Sequence, residues 1–173
     1  CHLQIQLTMM KSVSLFVLSA FFVGSTSLAL DISRSLVGQG APEVDAVTWL
    51  TEKPPTQGNW VLVDFWATWC GPCVRSMPRI KNINEKFKGR LIVVGVSEDD
   101  SVDQVFATQG KNFKYAMALD KEVSKDSFGK TALSFGVNGI PNLVLVGPDG
   151  IIRWAGHPAH LSDDMLNDFL SNP

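Results

Sequence analysis

Val63-Asp64-Phe65-Trp66-Ala67-Thr68-Trp69-Cys70-Gly71-Pro72-Cys73 is the stretch on which the reading of this chain turns. Two cysteines separated by two residues close a very small disulfide loop, so one chain accepts or donates two electrons by thiol-disulfide exchange. An apolar run precedes the pair and a helical pattern follows it, which puts Cys70 at or just before a helix N-terminus with its sulfur exposed. Unpaired backbone N–H groups and the helix dipole stabilise an anion there, and the thiolate is the nucleophilic form of cysteine. Pro72 fits the same place, because a proline in the first helical turn gives up an N–H that has no intrahelical partner.

On the N-terminal side, Val61 to Ala67 is apolar on both faces, with Val61, Val63 and Phe65 on one and Leu62 and Trp66 on the other. That pattern predicts a central strand of an α/β sheet, covered on both sides. Asp64 interrupts it. A buried carboxylate without a partner is costly and answers by raising its pKa, so the residue needs a reason. Six positions before Cys70, Asp64 is placed to lie beneath the cysteine pair and to exchange a proton with Cys73, through water. The bland expectation is a carboxylate that escapes to solvent at the sheet end. Trp69, in the turn beside the nucleophile, is expected to be half exposed and to offer substrates an apolar contact, whereas Phe65 and Trp66 belong to the core.

On the C-terminal side, Met77, Ile80, Ile83 and Phe87 recur at helical spacing from Cys73 to about Lys88, with Pro78 predicted to kink the axis and Gly89 to end it. Leu91 to Val96 reads as a second buried strand with Ser97 to Asp100 as its polar exit, followed by a short helix at Val102 to Phe106 and a strand at Tyr115 to Leu119. A further helix is expected over Asp126 to Phe135. Gly139-Ile140-Pro141 opens a strand at Leu143 to Val146, since proline can begin a strand but cannot sit inside a central one. Gly147-Pro148-Asp149-Gly150 is a hairpin turn into Ile151 to Trp154. Ser162 caps a last helix with Met165, Leu166, Phe169 and Leu170 turned inward.

Composition narrows the function classes. The 173 residues are 45% hydrophobic and 18% charged with a net charge of −2, an ordinary globular composition without a basic surface for nucleic acid. Three cysteines are too few for a disulfide-stapled scaffold. A zinc site would need a second ligand pair, and His157 and His160 lie more than 80 residues from the CxxC with no zinc-module spacing. They read as loop residues. No cofactor is expected. A noncatalytic binding module is the reading from another class, and it would not need both cysteines and Asp64.

Lys11, an apolar run from Val13 to Val23 and the small residues ending Ser27-Leu28-Ala29 have the three regions of a secretory signal, cleaved after Ala29. The alternative is a retained anchor, because Val13 to Leu30 is nearly as long as the ~20 residues that span a bilayer. Either way the domain is expected outside the cytoplasm, in the periplasm or an equivalent compartment. The expected organisation is upstream residues and leader over 1–29, an N-terminal extension over 30–59, with a loop at Glu52 to Gly58, and one domain over 60–173.

From about Trp60 to the C-terminus the chain resembles the thioredoxin superfamily, on three anchors: the 63–73 stretch, Pro78, and Gly139-Ile140-Pro141. Their order and spacing are most similar to the exported, TlpA-like branch, in which a helix-strand segment is added before the proline. The resemblance implies a thioredoxin fold, with a central mixed sheet flanked by helices, and a thiol-disulfide oxidoreductase whose catalytic residues are Cys70, Cys73 and Asp64. It implies a cis Ile140-Pro141 bond facing Cys70, and substrate contacts from Trp69, Gly71, Pro72, Ile140 and Pro141. Protein disulfides or dithiols would be the partners of a monomer, with a membrane donor supplying electrons. Gly71-Pro72 matches the dipeptide of reducing thioredoxins. Many apocytochrome c thiol reductases of the branch carry a glutamate three residues beyond the second cysteine; here that position is Ser76, which ranks general protein-disulfide reduction ahead of cytochrome c maturation.

Overall fold

The computed structural model describes residues 32–45, 48–111, 113–120 and 127–172, so the leader expected over 1–29 lies outside the described residues. Among those described, no helix is long and apolar enough to cross a membrane. The elements in order are α1 (Ile32–Ser35), β1 (Thr48–Trp49), β2 (Val61–Trp66), α2 (Gly71–Lys86), β3 (Ile92–Ser97), α3 (Val102–Gln109), β4 (Ala116–Leu119), α4 (Lys130–Ser134), β5 (Asn142–Val146), β6 (Ile152–Gly156) and α5 (Asp163–Ser171), with a 3-10 turn at Pro158–His160.

One six-stranded sheet runs in the order β1-β4-β3-β2-β5-β6. β2, β3 and β4 are parallel, whereas β5 is antiparallel to β2, β6 to β5 and β1 to β4. This is the expected mixed sheet with helices on its faces. β2 is central and buried along its whole length. Successive side chains of a strand point to opposite faces, and the two faces of β2 feed two separate cores. Leu62 and Trp66 join Met77, Ile80, Ile83 and Leu166 beneath α2 and α5, while Val61, Val63 and Phe65 pack with Phe135 and Ala132 on the other side. Asp64 shares the α2 face with Leu62 and Trp66.

α2 begins at Gly71, directly after Cys70 as expected, and continues through Pro78, whose exposed side faces away from the sheet. Gly89 follows with φ +80, the left-handed conformation that suits glycine after a helix. Ser162 caps α5 as expected, its hydroxyl accepting the Met165 N–H at 3.1 Å.

The helix expected from Asp126 to Phe135 is shorter. It begins at Lys130, while Ser127 to Gly129 are not helical and Asp126 lies outside the described residues. The reason is a set of distant caps. Glu98 Oε2 accepts the Gly129 N–H at 2.6 Å, and the Asp120 carboxylate accepts the N–H groups of Thr131 and Ala132 at 3.0 and 2.8 Å. Those bonds consume the first-turn donors and fix the start. β6 is likewise displaced from the expected Ile151 to Trp154, because Ile151 instead bridges Gly40 in the N-terminal segment. That segment is tied to the sheet again at Ser33, fully buried, whose hydroxyl bonds the side chain of Asn142 at the head of β5.

Candidate active site

The loop from β2 to α2 is clamped from behind. Thr68 donates its N–H and its hydroxyl to the Asp99 carboxylate, and Ser97 donates its hydroxyl to the same group at 2.6 Å. The Cys70 N–H then reaches back to the Ala67 carbonyl at 3.2 Å, which turns the chain into α2. Cys70 is the N-cap, with φ −85 and ψ 94, and its Sγ accepts the Cys73 N–H at 3.2 Å. A helix N-terminus therefore points a donor at the first sulfur, as the sequence led one to expect. The two cysteines are joined in a disulfide, with their Cα atoms 5.2 Å apart.

Cys70 is less open than expected. Cys70 is 6% exposed and Cys73 1%, because the disulfide ring packs into the α2-side core with Trp66, Ala67 and Met77. The surface around them is supplied by neighbours: Trp69 is 65% exposed, more than the half expected, and Gly71 and Pro72 are exposed as well. The Ile140-Pro141 bond is cis. Pro141 is buried, and Ile140 packs against the cluster that contains both cysteines. Ser76 is partly buried and donates its hydroxyl to the Cys73 carbonyl at 2.8 Å.

Asp64 is 1% exposed, which excludes the carboxylate that escapes to solvent. Burial pushes its carboxyl up from 3.8 to about 7, against the opposing pull of the Tyr115 hydroxyl, which donates to Oδ2 at 3.3 Å. Tyr115 is itself raised well above 10.0, first by burial and then by the Asp64 charge, so it remains a donor.

Glu98 and Asp99, which the sequence offers as the polar exit of β3, and Asp120, which it does not single out, are tied to the backbone around the site: Asp99 to the β2–α2 turn, Glu98 and Asp120 to the start of α4. The signal was available as three acids, Glu98-Asp99-Asp100, directly after an apolar strand. Burial, then repulsion from Asp120 and Asp99, pushes the Glu98 carboxyl from 4.5 to about 8, although the Gly129 N–H opposes the rise. Beside Trp69 a groove of about 480 Å³ is lined by Glu98, Asp100, Phe128, Leu133, Val137 and Asn138. His157 caps the 3-10 turn, its Nδ1 accepting the Ala159 N–H at 3.2 Å, and His160 lies 3.5 Å from Arg34. Among the described residues there is no group of three or more His, Cys, Asp or Glu that could hold a metal ion.

A family profile described as Thioredoxin-like matches residues 58–152, more than half of the chain. The chain belongs to the thioredoxin-like family. It is 50% identical over 52 residues to Thioredoxin 1 of Chlorobaculum tepidum, which covers 29% of this chain and 52% of that protein. To the thiol-disulfide oxidoreductase ResA of Bacillus thuringiensis (strain Al Hakam) it is 28% identical over 123 residues, 69% of each chain. This thioredoxin-like chain thus spans about half the length of one curated relative and about two thirds of the other. Among solved structures, the thioredoxin domain of thiol-disulfide oxidoreductase BVU-2223 from Bacteroides vulgatus superposes with a TM-score of 0.56 at 28% identity, covering 76% of this chain and 94% of that one. The thioredoxin fold and the kinship with TlpA-like oxidoreductases expected from the sequence agree with these relatives.

Proposed function

We propose that this protein is an exported thiol-disulfide oxidoreductase that reduces protein disulfides. The observation that carries the reading is the Cys70–Cys73 disulfide at the N-terminus of α2, with the first sulfur accepting a helix N–H and the second buried behind it. In the dithiol form, the Cys70 thiolate attacks a substrate disulfide, and one substrate sulfur leaves as a thiolate that takes a proton from water. Cys73 then attacks the Cys70 sulfur of the mixed disulfide, releasing the second substrate thiolate. Two electrons have passed to the substrate, and Cys70–Cys73 is oxidised. Asp64 takes the Cys73 proton for this second step, a role for which a carboxyl titrating at about 7 is well matched near neutral pH. Trp69, Gly71 and Pro72 form the apolar contact surface, and the backbone of Ile140, ahead of Pro141, pairs with the extended substrate chain.

The leader-like N-terminus supports export, and an oxidising compartment then requires a membrane donor to return the pair to the dithiol. The test is the equilibrium potential of the Cys70–Cys73 pair, titrated against dithiothreitol and followed by the fluorescence of Trp69 and its neighbours. A value near about −270 mV supports a reductase; one near about −120 mV reverses the direction to disulfide formation. Absence of any reversible intramolecular disulfide defeats the catalytic reading.

A further inference from the structure

We propose that Tyr115 positions the Asp64 carboxyl for its proton exchange with Cys73, and that Gly95 is the gap in the sheet through which the Tyr115 ring reaches it. The inference rests on the proposed role of Asp64 and adds to it two residues, Gly95 of β3 and Tyr115 just ahead of β4.

The geometry follows from the register. Asp64 on β2 stands opposite Gly95 on β3, and Gly95 stands opposite Met117 on β4. Tyr115, two residues before Met117 and just ahead of β4, belongs to the same α2-side core as Met117 and is 7% exposed. To bond Asp64 its ring must cross β3, and it crosses at the one residue of Ile92–Ser97 without a side chain. A Cβ at Gly95 would sit 2.8 Å from Met117 Sδ, 2.9 Å from Met117 Cε and 3.0 Å from Tyr115 Cε2. Glycine weakens a strand interior and often marks a close approach, which is what occurs here. The hydroxyl then occupies Asp64 Oδ2 and leaves Oδ1 to carry the proton.

Among the described residues, this bond acts against burial at Asp64. Its cross-strand neighbours, Gly95 and Leu143, are uncharged, and from α2 the face turned toward it carries Cys73. Two cations on the packed elements, Lys81 of α2 and Lys114 ahead of β4, line a crevice with Tyr115. A hydroxyl that donates to a carboxylate favours its ionised form. Tyr115 therefore holds the carboxyl within reach of neutral pH instead of letting burial carry it higher.

The experiment compares the full chain with Tyr115→Phe, Asp64→Asn and Gly95→Ala. Two quantities are read against pH: the rate of insulin disulfide reduction with dithiothreitol as electron source, and the ¹³C shift of the Asp64 side-chain carboxyl. Wild type is expected to show a titration near pH 7 in both. Tyr115→Phe keeps the ring and its packing, so the melting temperature moves little, yet the titration moves up by about one pH unit. Gly95→Ala, which displaces the ring with the hydroxyl intact, shifts it in the same direction; if that variant does not fold, Tyr115→Phe decides alone. A Tyr115→Phe profile that superimposes on wild type, while Asp64→Asn abolishes the rate titration, overturns the inference and leaves the role of Asp64 standing. An Asp64→Asn rate profile identical to wild type overturns both.

Discussion

Thr68 gives both its backbone N–H and its hydroxyl to one carboxylate, that of Asp99, at 3.0 and 2.5 Å. The contact links the turn that carries Cys70 to the exit of β3, 31 residues away in sequence, and Asp99 is 5% exposed. The position of Cys70 is thus set by the neighbouring strand as well as by α2.

Asp99→Ala strands the Thr68 donors and the Ser97 hydroxyl in a buried site. It is expected to destabilise the protein by about 3 kcal/mol, read from urea unfolding, because each buried donor left without its partner costs about 1–3 kcal/mol. Turnover of insulin should fall as well, since the turn no longer holds Cys70. Unchanged unfolding midpoints would show that the clamp is decorative.

The folded pKa of Asp64, about 7, lies above its ordinary 3.8. Below the lower value both folded and unfolded states hold the proton and the fold is at full strength. As pH rises, the unfolded chain loses the proton first, so stability falls through the interval and levels off above about 7. The difference corresponds to an order of magnitude of about 4 kcal/mol. Asp64→Asn should flatten that slope in unfolding experiments between pH 4 and 8 and be the more stable protein at pH 8.

Glu98 obeys the same sign, with the window moved to 4.5 and about 8. Glu98→Gln keeps an oxygen for the Gly129 N–H and removes the repulsion from Asp120 and Asp99. Melting temperatures should be similar at pH 5 and higher for the variant at pH 9; the opposite order at pH 9 would mean the charge is stabilising there.

In the proposed exchange, Cys73→Ser leaves Cys70 without its resolving partner. Mass spectrometry after incubation with an oxidised protein substrate should find a persistent Cys70 mixed disulfide, and Cys70→Ser should form none. Equal trapping by both variants would argue against Cys70 as the sole entry point.

Much of this site could be read from local pattern. The buried strand Val61–Trp66, the cysteines at the start of Gly71–Lys86 and the inward-facing Asp64 all follow from periodicities of two and 3.6 within a few residues of one another. What escaped depends on residues brought together by the fold. Tyr115 meets Asp64 across 51 positions, Ser33 meets Asn142 across 109, and Asp120 delays α4 from 11 or 12 residues upstream. Gly95 was hidden for a different reason: inside an apolar run a single glycine reads as one more small residue, and its purpose shows in the Met117 and Tyr115 side chains packed over it.

Thr48–Trp49 is the smallest strand of the sheet, yet it covers the open side of Ala116–Leu119, helped by the Leu50 N–H on the Met117 carbonyl and the Thr51 hydroxyl on the Met117 N–H. A fragment cut at Trp60 would keep the cysteine pair and bare that backbone ladder, a template onto which other chains add strands. The short segment ahead of the catalytic core therefore also guards against aggregation, and its loss should show first as self-association rather than as lost chemistry.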